Sequence, residues 1–407
     1  MNLFDAELNR CLAALHEQNL FREIRRVDSP QSPRIKIGGK KLLNFSSNDY
    51  LGLANDPILK EAAIKAVKKF GAGAGASRLV CGSLAPFHEL EEALADFKKA
   101  EAALSFSSGY ATAIGTICAL LGKNDVVVLD KLVHACIVDA ARLSGAIIRV
   151  FAHNDLNSLK KILKWAGGKS SITHHASRIL IVTESIFSMD GDAAPLREMV
   201  ALKEKYGAWL MVDEAHATGV CGKNGRGLAN EPGVGHRVEI QMGTLGKALG
   251  ASGGFICGSR VLVDFLVNRA RSFIFSTAPV PAAAAAATAA IQFVQSSEGA
   301  ARRNILQQRV VQCRTGLQPV CDFLENGDRR DACHAFSAII PIMVGDEKKA
   351  LEVAAGLRER GIFIPAIRYP TVASGKARLR ATVTATHTTE EINLLAAKLN
   401  EIVNRKS

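Results

Sequence analysis

Trp209-Leu-Met-Val-Asp213-Glu-Ala-His216 joins an apolar run to a carboxylate, with an imidazole three residues on. In a parallel α/β sheet, ligands sit beyond the carboxyl ends of the strands. A carboxylate there can hold a buried cation such as a protonated ring nitrogen. His216 can bond a neighbouring oxygen of the same ligand. A second apolar run, 240–242, leads into Thr244-Leu-Gly-Lys247. A lysine among small residues can be a desolvated amine that forms a Schiff base, and the Thr244 hydroxyl can bond a phosphate. Ser107-Ser-Gly109-Tyr110 enters a helix expected over 111–121, and backbone N–H groups at a helix start form an anion site. His134 can stack on a flat ring. Taken singly, each has an ordinary reading: a helix-capping Asp, a solvated Lys, a loop His. Together they supply a phosphate cradle, a ring-nitrogen carboxylate, a stacking imidazole and an amine nucleophile. Pyridoxal phosphate requires that set.

These residues need an α/β frame. Short apolar runs at 126–129, 147–151, 179–183, 209–212, 240–242 and 255–257 read as buried strands, and helical stretches such as 196–206 separate several of them. The alternation predicts a mostly parallel central sheet covered on both faces. The first forty-odd residues read as an amphipathic arm, with helices expected at 56–70 and 88–97. After about residue 280 the pattern changes to an Ala-rich helix and strands at 337–344, 362–367 and 377–383. The final helix opens on a capping box, Thr388-Thr-Glu-Glu391. The expected organisation is an arm over 1–50, a large α/β domain over 51–285 and a smaller α+β domain over 286–407.

Other chemistries fit less well. Gly71-x-Gly73-x-x-Ala76 resembles a dinucleotide loop, but a Lys-rich helix precedes it where a strand is required. Gly243-Thr-Leu-Gly-Lys247 lacks the glycine spacing of a nucleotide-triphosphate loop, and Ala248 stands where a hydroxyl would hold magnesium. The nine cysteines are scattered and form no CxxC pair, so neither a disulfide framework nor a metal site is expected. Net charge is +12, from 51 basic and 39 acidic residues. No long basic run occurs, so no nucleic-acid partner is expected, and the charge suits a phosphate-rich substrate. No apolar stretch is long enough to span a bilayer. The N-terminus lacks an apolar signal core, which points to the cytoplasm.

The chain resembles the α-oxoamine synthase family of fold-type I pyridoxal-phosphate enzymes from about Leu12 to its C-terminus. The segments that carry the resemblance are Asn44-Phe-Ser-Ser-Asn-Asp-Tyr-Leu-Gly52, Phe187-Ser-Met-Asp-Gly-Asp192, Val212-Asp-Glu-Ala-His-Ala-Thr-Gly219 and Thr244-Leu-Gly-Lys247. It implies an aspartate-aminotransferase-like fold and a homodimer with active sites at the subunit interface. Family members condense an amino acid with an acyl-CoA and lose carbon dioxide. By resemblance, Lys247 carries pyridoxal 5'-phosphate and Asp213 pairs with its ring nitrogen. His216 and Ser188 lie near its phenolic oxygen, and His134 stacks on the ring. Gly109, Tyr110 and Thr244 hold the cofactor, while Ser276 and Thr277 reach the phosphate in the neighbouring subunit. Asn48 and Arg380 would bind the amino-acid carboxylate, and Arg22 and Thr371 the acyl substrate.

The segment 366–380 is most similar to the branch that joins L-alanine to a pimeloyl thioester, on CoA or acyl carrier protein, in biotin synthesis. Tyr369 and Ala373 stand where that branch commonly has prolines, and the tyrosine is also similar to glycine-using branches. Glycine with acetyl-CoA therefore stands as an alternative. So does a catalytically silent partner subunit, against which the intact Lys247, Asp213 and His134 argue.

Overall fold

The computed structural model describes residues 2–170, 177–231, 233–324 and 337–404; Cys333 lies outside them. The chain forms two compact units. One comprises Met1–Ser47, Gln308–Asp331 and Ala338–Ser407, the other Asn48–Gln307 and Ala332–Ser337. The eight cysteines among the described residues are free thiols.

The larger unit is built on a seven-stranded sheet. Its order is Ala102–Phe106, Gly254–Gly258, Ile240–Thr244, Trp209–Asp213, Ile179–Glu184, Val126–Asp130, Ile147–Phe151. Gly254–Gly258 pairs antiparallel with both neighbours, and every other adjacent pair is parallel. The expected α/β class and mostly parallel sheet are therefore found. Strand residues alternate between two apolar clusters. Val127, Leu129, Leu180, Val182 and Met211 pack into one, and Val126, Val128, Ile179, Ile181, Leu210 and Val212 into the other. That two-sided burial is why these strands read as continuous apolar runs. Parallel strands also end on the same edge. Asp130, Glu184, Asp213 and Thr244 are the last residues of their strands.

The sequence reading missed Ala102–Phe106, whose alanines carry no β signal. The helix expected at 111–121 spans Gly109–Leu120, because Ser108 caps it by accepting the Ala111 N–H at 3.1 Å. Gly109 and Tyr110 thus lie in its first turn.

In the smaller unit, the expected arm holds more than a helix. Leu3–Glu17 is helical, but Arg34–Ile37 and Lys40–Asn44 form a hairpin. The turn is Gly38-Gly39, with φ of +55° and +78°, the two-residue left-handed turn that glycine permits. Lys40–Asn44 also pairs in parallel with Ile362–Phe363, which groups the N-terminal segment with the C-terminal one. The strand expected over 362–367 is two strands in two sheets: Ala366–Ile367 pairs instead with Leu379 and Arg378. Pro365 lies between them and donates no ladder hydrogen bond. The capping box forms as read, with Thr388 Oγ1 accepting the Glu391 N–H at 3.2 Å and Glu391 Oε2 the Thr388 N–H at 3.1 Å.

His387 ties this unit together and sets a pH dependence. Its Nδ1 accepts the Thr384 N–H at 3.0 Å, and its Nε2 donates to Asn44 O at 3.0 Å. Both bonds suit a neutral ring. Burial holds its pKa below the ordinary histidine value; the Asn44 carbonyl, Glu391 and the Thr384 backbone oppose that shift, while Arg309 adds to it. A histidine depressed on folding stays neutral while the unfolded chain takes up protons. Its contribution to stability is therefore full above about pH 6.5 and shrinks as pH falls below that. Thermal unfolding scans between pH 7.5 and 5.5 should show Tm falling, and His387→Asn should flatten that part of the slope.

Candidate active site

The strand-end edge of the larger unit brings together most of the residues singled out by type and spacing. Asp213 is buried at the end of its strand, and its Oδ1 accepts the Ala215 N–H at 2.9 Å. Among the described residues it has no ion-pair partner. Burial raises its carboxyl pKa; the Lys247 charge, the Ala215 N–H and the His134 charge work against this, and Glu214 adds to the rise. The turn after Asp213 is fixed from behind. Glu214 is fully buried, pairs with the equally buried Lys98, and accepts the Ala229 N–H at 2.8 Å.

Lys247 lies in the loop between Ile240–Thr244 and Gly254–Gly258. Thr244 Oγ1 donates to Gly253 O at 3.1 Å and accepts the Gly246 N–H at 3.2 Å, closing the loop at its base. Gly250, with φ +61°, seats the loop against the chain. A Cβ there would lie 2.5 Å from Ala54 N. Asp49 in turn holds that backbone, accepting from Leu53 N at 2.8 Å and Ala54 N at 3.1 Å.

Lys247 Nζ lies 2.8 Å from His216 Nε2, and His216 Nδ1 lies 2.6 Å from the Tyr50 hydroxyl, which donates to Asn48 Oδ1 at 3.2 Å. One proton arrangement satisfies all three bonds. Lys247 donates to Nε2, Nδ1–H donates to Tyr50, and the Tyr50 proton goes to Asn48. Asn48 was expected near the site. Tyr50 was missed, although it stands inside the quoted 44–52 segment.

Glu184 was also missed, although it directly follows the expected strand 179–183 as Asp213 follows 209–212. It is the sheet neighbour of Asp213 and accepts the Ser188 N–H at 3.2 Å. Burial and then the Asp213 charge push its pKa up to about 8, against the pull of Lys247 and of the His134 and Ser188 backbone. Two buried carboxyls on neighbouring strands each disfavour the other's charge, and Lys247 favours the charged form of both.

His134 caps the helix Ala135–Ser144, its Nδ1 accepting the Cys136 N–H at 3.2 Å. That leaves the proton of the neutral ring on Nε2. Crowding by protein disfavours the charged form and lowers its pKa; Asp213 opposes, Lys247 assists and Asp139 opposes. Tyr110 donates to Asp139 Oδ2 at 3.0 Å.

The remaining expected residues lie elsewhere. Ser276 and Thr277 line a hollow with Arg78, Ser105 and Ser107, and Thr277 pairs with Ser77 in the glycine-rich loop. Arg22, Thr371 and Arg380 belong to the smaller unit. There Arg22 Nη2 donates to Thr371 Oγ1 at 3.4 Å, and Arg380 is buried on the strand Ala377–Thr382.

Residues 40–399 match the family model for aminotransferase class I and II. The chain belongs to that family. It is 46% identical over 391 residues to an 8-amino-7-oxononanoate synthase of Geobacter sulfurreducens, covering 96% of each chain. Among solved structures it is similar to the Sphingomonas wittichii serine palmitoyltransferase, with a TM-score of 0.87 and 30% identity over 100% of this chain and 99% of that one. It is also similar to 8-amino-7-oxononanoate synthase from Francisella tularensis, with a TM-score of 0.73 and 26% identity over 90% and 99%. The chain therefore has the fold-type I architecture that the resemblance implied. Among the described residues, no helix is long and apolar enough to cross a membrane.

Proposed function

We propose that this enzyme condenses L-alanine with a pimeloyl thioester, on CoA or acyl carrier protein, to give 8-amino-7-oxononanoate, carbon dioxide and the free thiol. The observation that carries this reading is the strand-edge constellation of Lys247, His216 and Asp213 in a chain nearly half identical to named synthases of that product.

The residues present fit pyridoxal phosphate. Among the described residues, the buried Asp213 carboxyl has no ion-pair partner, and a protonated ring nitrogen would supply one. Lys247 provides the amine. Ser108 begins a helix of 12 residues whose first N–H groups suit a phosphate, with Gly109, Tyr110 and Thr244 as further contacts. Ser188 and His216 would face the phenolic oxygen, and His134 the ring. When bound, the cofactor supplies an electron sink for the carbanion at the amino acid's Cα.

The protein's own groups do the rest. Lys247 takes the Cα proton and later returns one. Its charge is relayed to His216, so the amine can give up a proton without an uncompensated change. His134 Nε2–H donates to the oxygen of the thioester carbonyl as negative charge builds there. Asn48 and Arg380 hold the amino-acid carboxylate, and Arg22 and Thr371 the acyl chain. Ser276 and Thr277 serve the phosphate of a second copy. The enzyme is then a homodimer, and the neighbouring Val80 and Phe275, 78% and 69% exposed, become buried between subunits.

Thiol release from cofactor-loaded enzyme tests the reading. Release is expected with L-alanine and pimeloyl-CoA and not with glycine and acetyl-CoA. Release with the glycine pair alone overturns it and makes Tyr369 the residue to explain.

A further inference from the structure

A buried clamp lies beside the strand-end edge. His153 follows the edge strand Ile147–Phe151. Its Nδ1 is 2.9 Å from Asp130 Oδ1 and its Nε2 2.7 Å from Asp192 Oδ2. Both carboxylates are buried. A neutral imidazole has a single N–H and could serve one of them, turning a lone pair toward the other. With a proton on both nitrogens, the ring donates to the two carboxylates at once. Burial alone would lower the histidine pKa, but the hydrogen bonds and charges of Asp130 and Asp192 raise it to about 10. Asn154, at φ +54°, closes the cluster. Its N–H donates to Asp130 Oδ2 at 3.0 Å and its Nδ2 to Asp192 Oδ2 at 2.9 Å.

Asp130 and Asp192 each shape one loop of the site, Asp130 through its carboxylate and Asp192 through its backbone. Asp130 Oδ1 also accepts the Leu132 N–H at 2.8 Å, which shapes the turn that delivers His134. Asp192 closes the loop carrying Ser188, where the Phe187 N–H donates to Asp192 O at 2.9 Å. The Phe187 ring meets His153 edge-on at 4.4 Å. We infer that His153 is a positioning residue, bridging Asp130 and Asp192 so that the His134 and Ser188 loops hold their places against the cofactor. This rests on the reading that both residues face pyridoxal phosphate.

The test is a titration of apo-enzyme with pyridoxal phosphate, followed by visible circular dichroism of the loaded enzyme. It compares wild type with His153→Gln, which keeps one N–H donor and loses the charge and the second bond. The expected result is binding weakened by about tenfold, the size seen when a group that orients a ligand is lost, with a changed dichroic band per bound cofactor. A merely structural role would lower Tm and leave the band alone. A folded His153→Gln with wild-type affinity and band overturns the proposal. Should His153→Gln not fold, Asp192→Asn keeps the shape and the Asp130 contact. It is expected to change the band in the same way, and a wild-type band there overturns the proposal equally. Wild type that takes up no cofactor overturns the cofactor reading itself, an outcome distinct from wild type and variant binding alike.

Discussion

Replacing Lys247 by Ala is expected to lower kcat by roughly 10⁴-fold or more and to end retention of pyridoxal phosphate through gel filtration. The amine does two jobs that no neighbour can take over. It is the group proposed to move the Cα proton, and positioned proton transfer by itself contributes up to about 10⁴-fold. It is also the nucleophile that would anchor the cofactor. His216, 2.8 Å away, is an imidazole and cannot form a Schiff base in place of the amine. Lys247→Ala should therefore not regain cofactor retention through it. The fold should survive, because Lys247 sits in a loop set by Thr244, Gly253 and Gly250 rather than by its own side chain. Single-turnover thiol release together with far-ultraviolet circular dichroism checks both halves. Residual turnover within a hundredfold of wild type would remove Lys247 from the chemistry.

Asp213→Asn separates charge from shape. The amide oxygen can still accept the Ala215 N–H, so the turn into His216 is preserved. What disappears is the charge that would face the ring nitrogen. Losing preorganised charge of this kind costs about 10²–10³-fold in kcat. Stability should move the other way. Burial is the largest influence on the Asp213 carboxyl and acts against its charge, and removing a desolvated charge relieves that cost. Tm of the cofactor-free protein is therefore expected to hold or rise while activity collapses. Activity within tenfold of wild type would sink the ring-nitrogen role. A large fall in Tm would instead make Asp213 a structural residue.

Much of the site was legible because its residues follow a local rule. A buried parallel strand reads as an apolar run, and the first polar residue after it stands on the ligand edge. That rule finds Asp213 and Thr244 directly. His134, His216 and Lys247 then follow within the next few residues. The same rule points to Glu184, the residue after the expected strand 179–183, which the reading passed over. It fails where composition is neutral, as in Ala102–Phe106. The Gly38-Gly39 turn was a legible signal that the arm reading passed over.

Most strands and helices of the larger unit, and Asp213 and Thr244 at the strand ends, were thus legible in the sequence alone, because periodicity and capping act within a few residues. So were the amine, carboxylate and imidazoles that suit one cofactor. The pairings were decided only by the tertiary structure. Tyr50 and His216 are 166 positions apart, yet share a hydrogen bond that orders the protons around Lys247. The upward push that each of two neighbouring carboxyls feels depends on the sheet register that sets Glu184 beside Asp213. His153 becomes a bridge only because one strand end and the loops after two others bring Asp130, Asp192 and its own ring together. Side-chain contacts and pKa values are properties of distance in space, and chain spacing does not encode that distance beyond a turn or two.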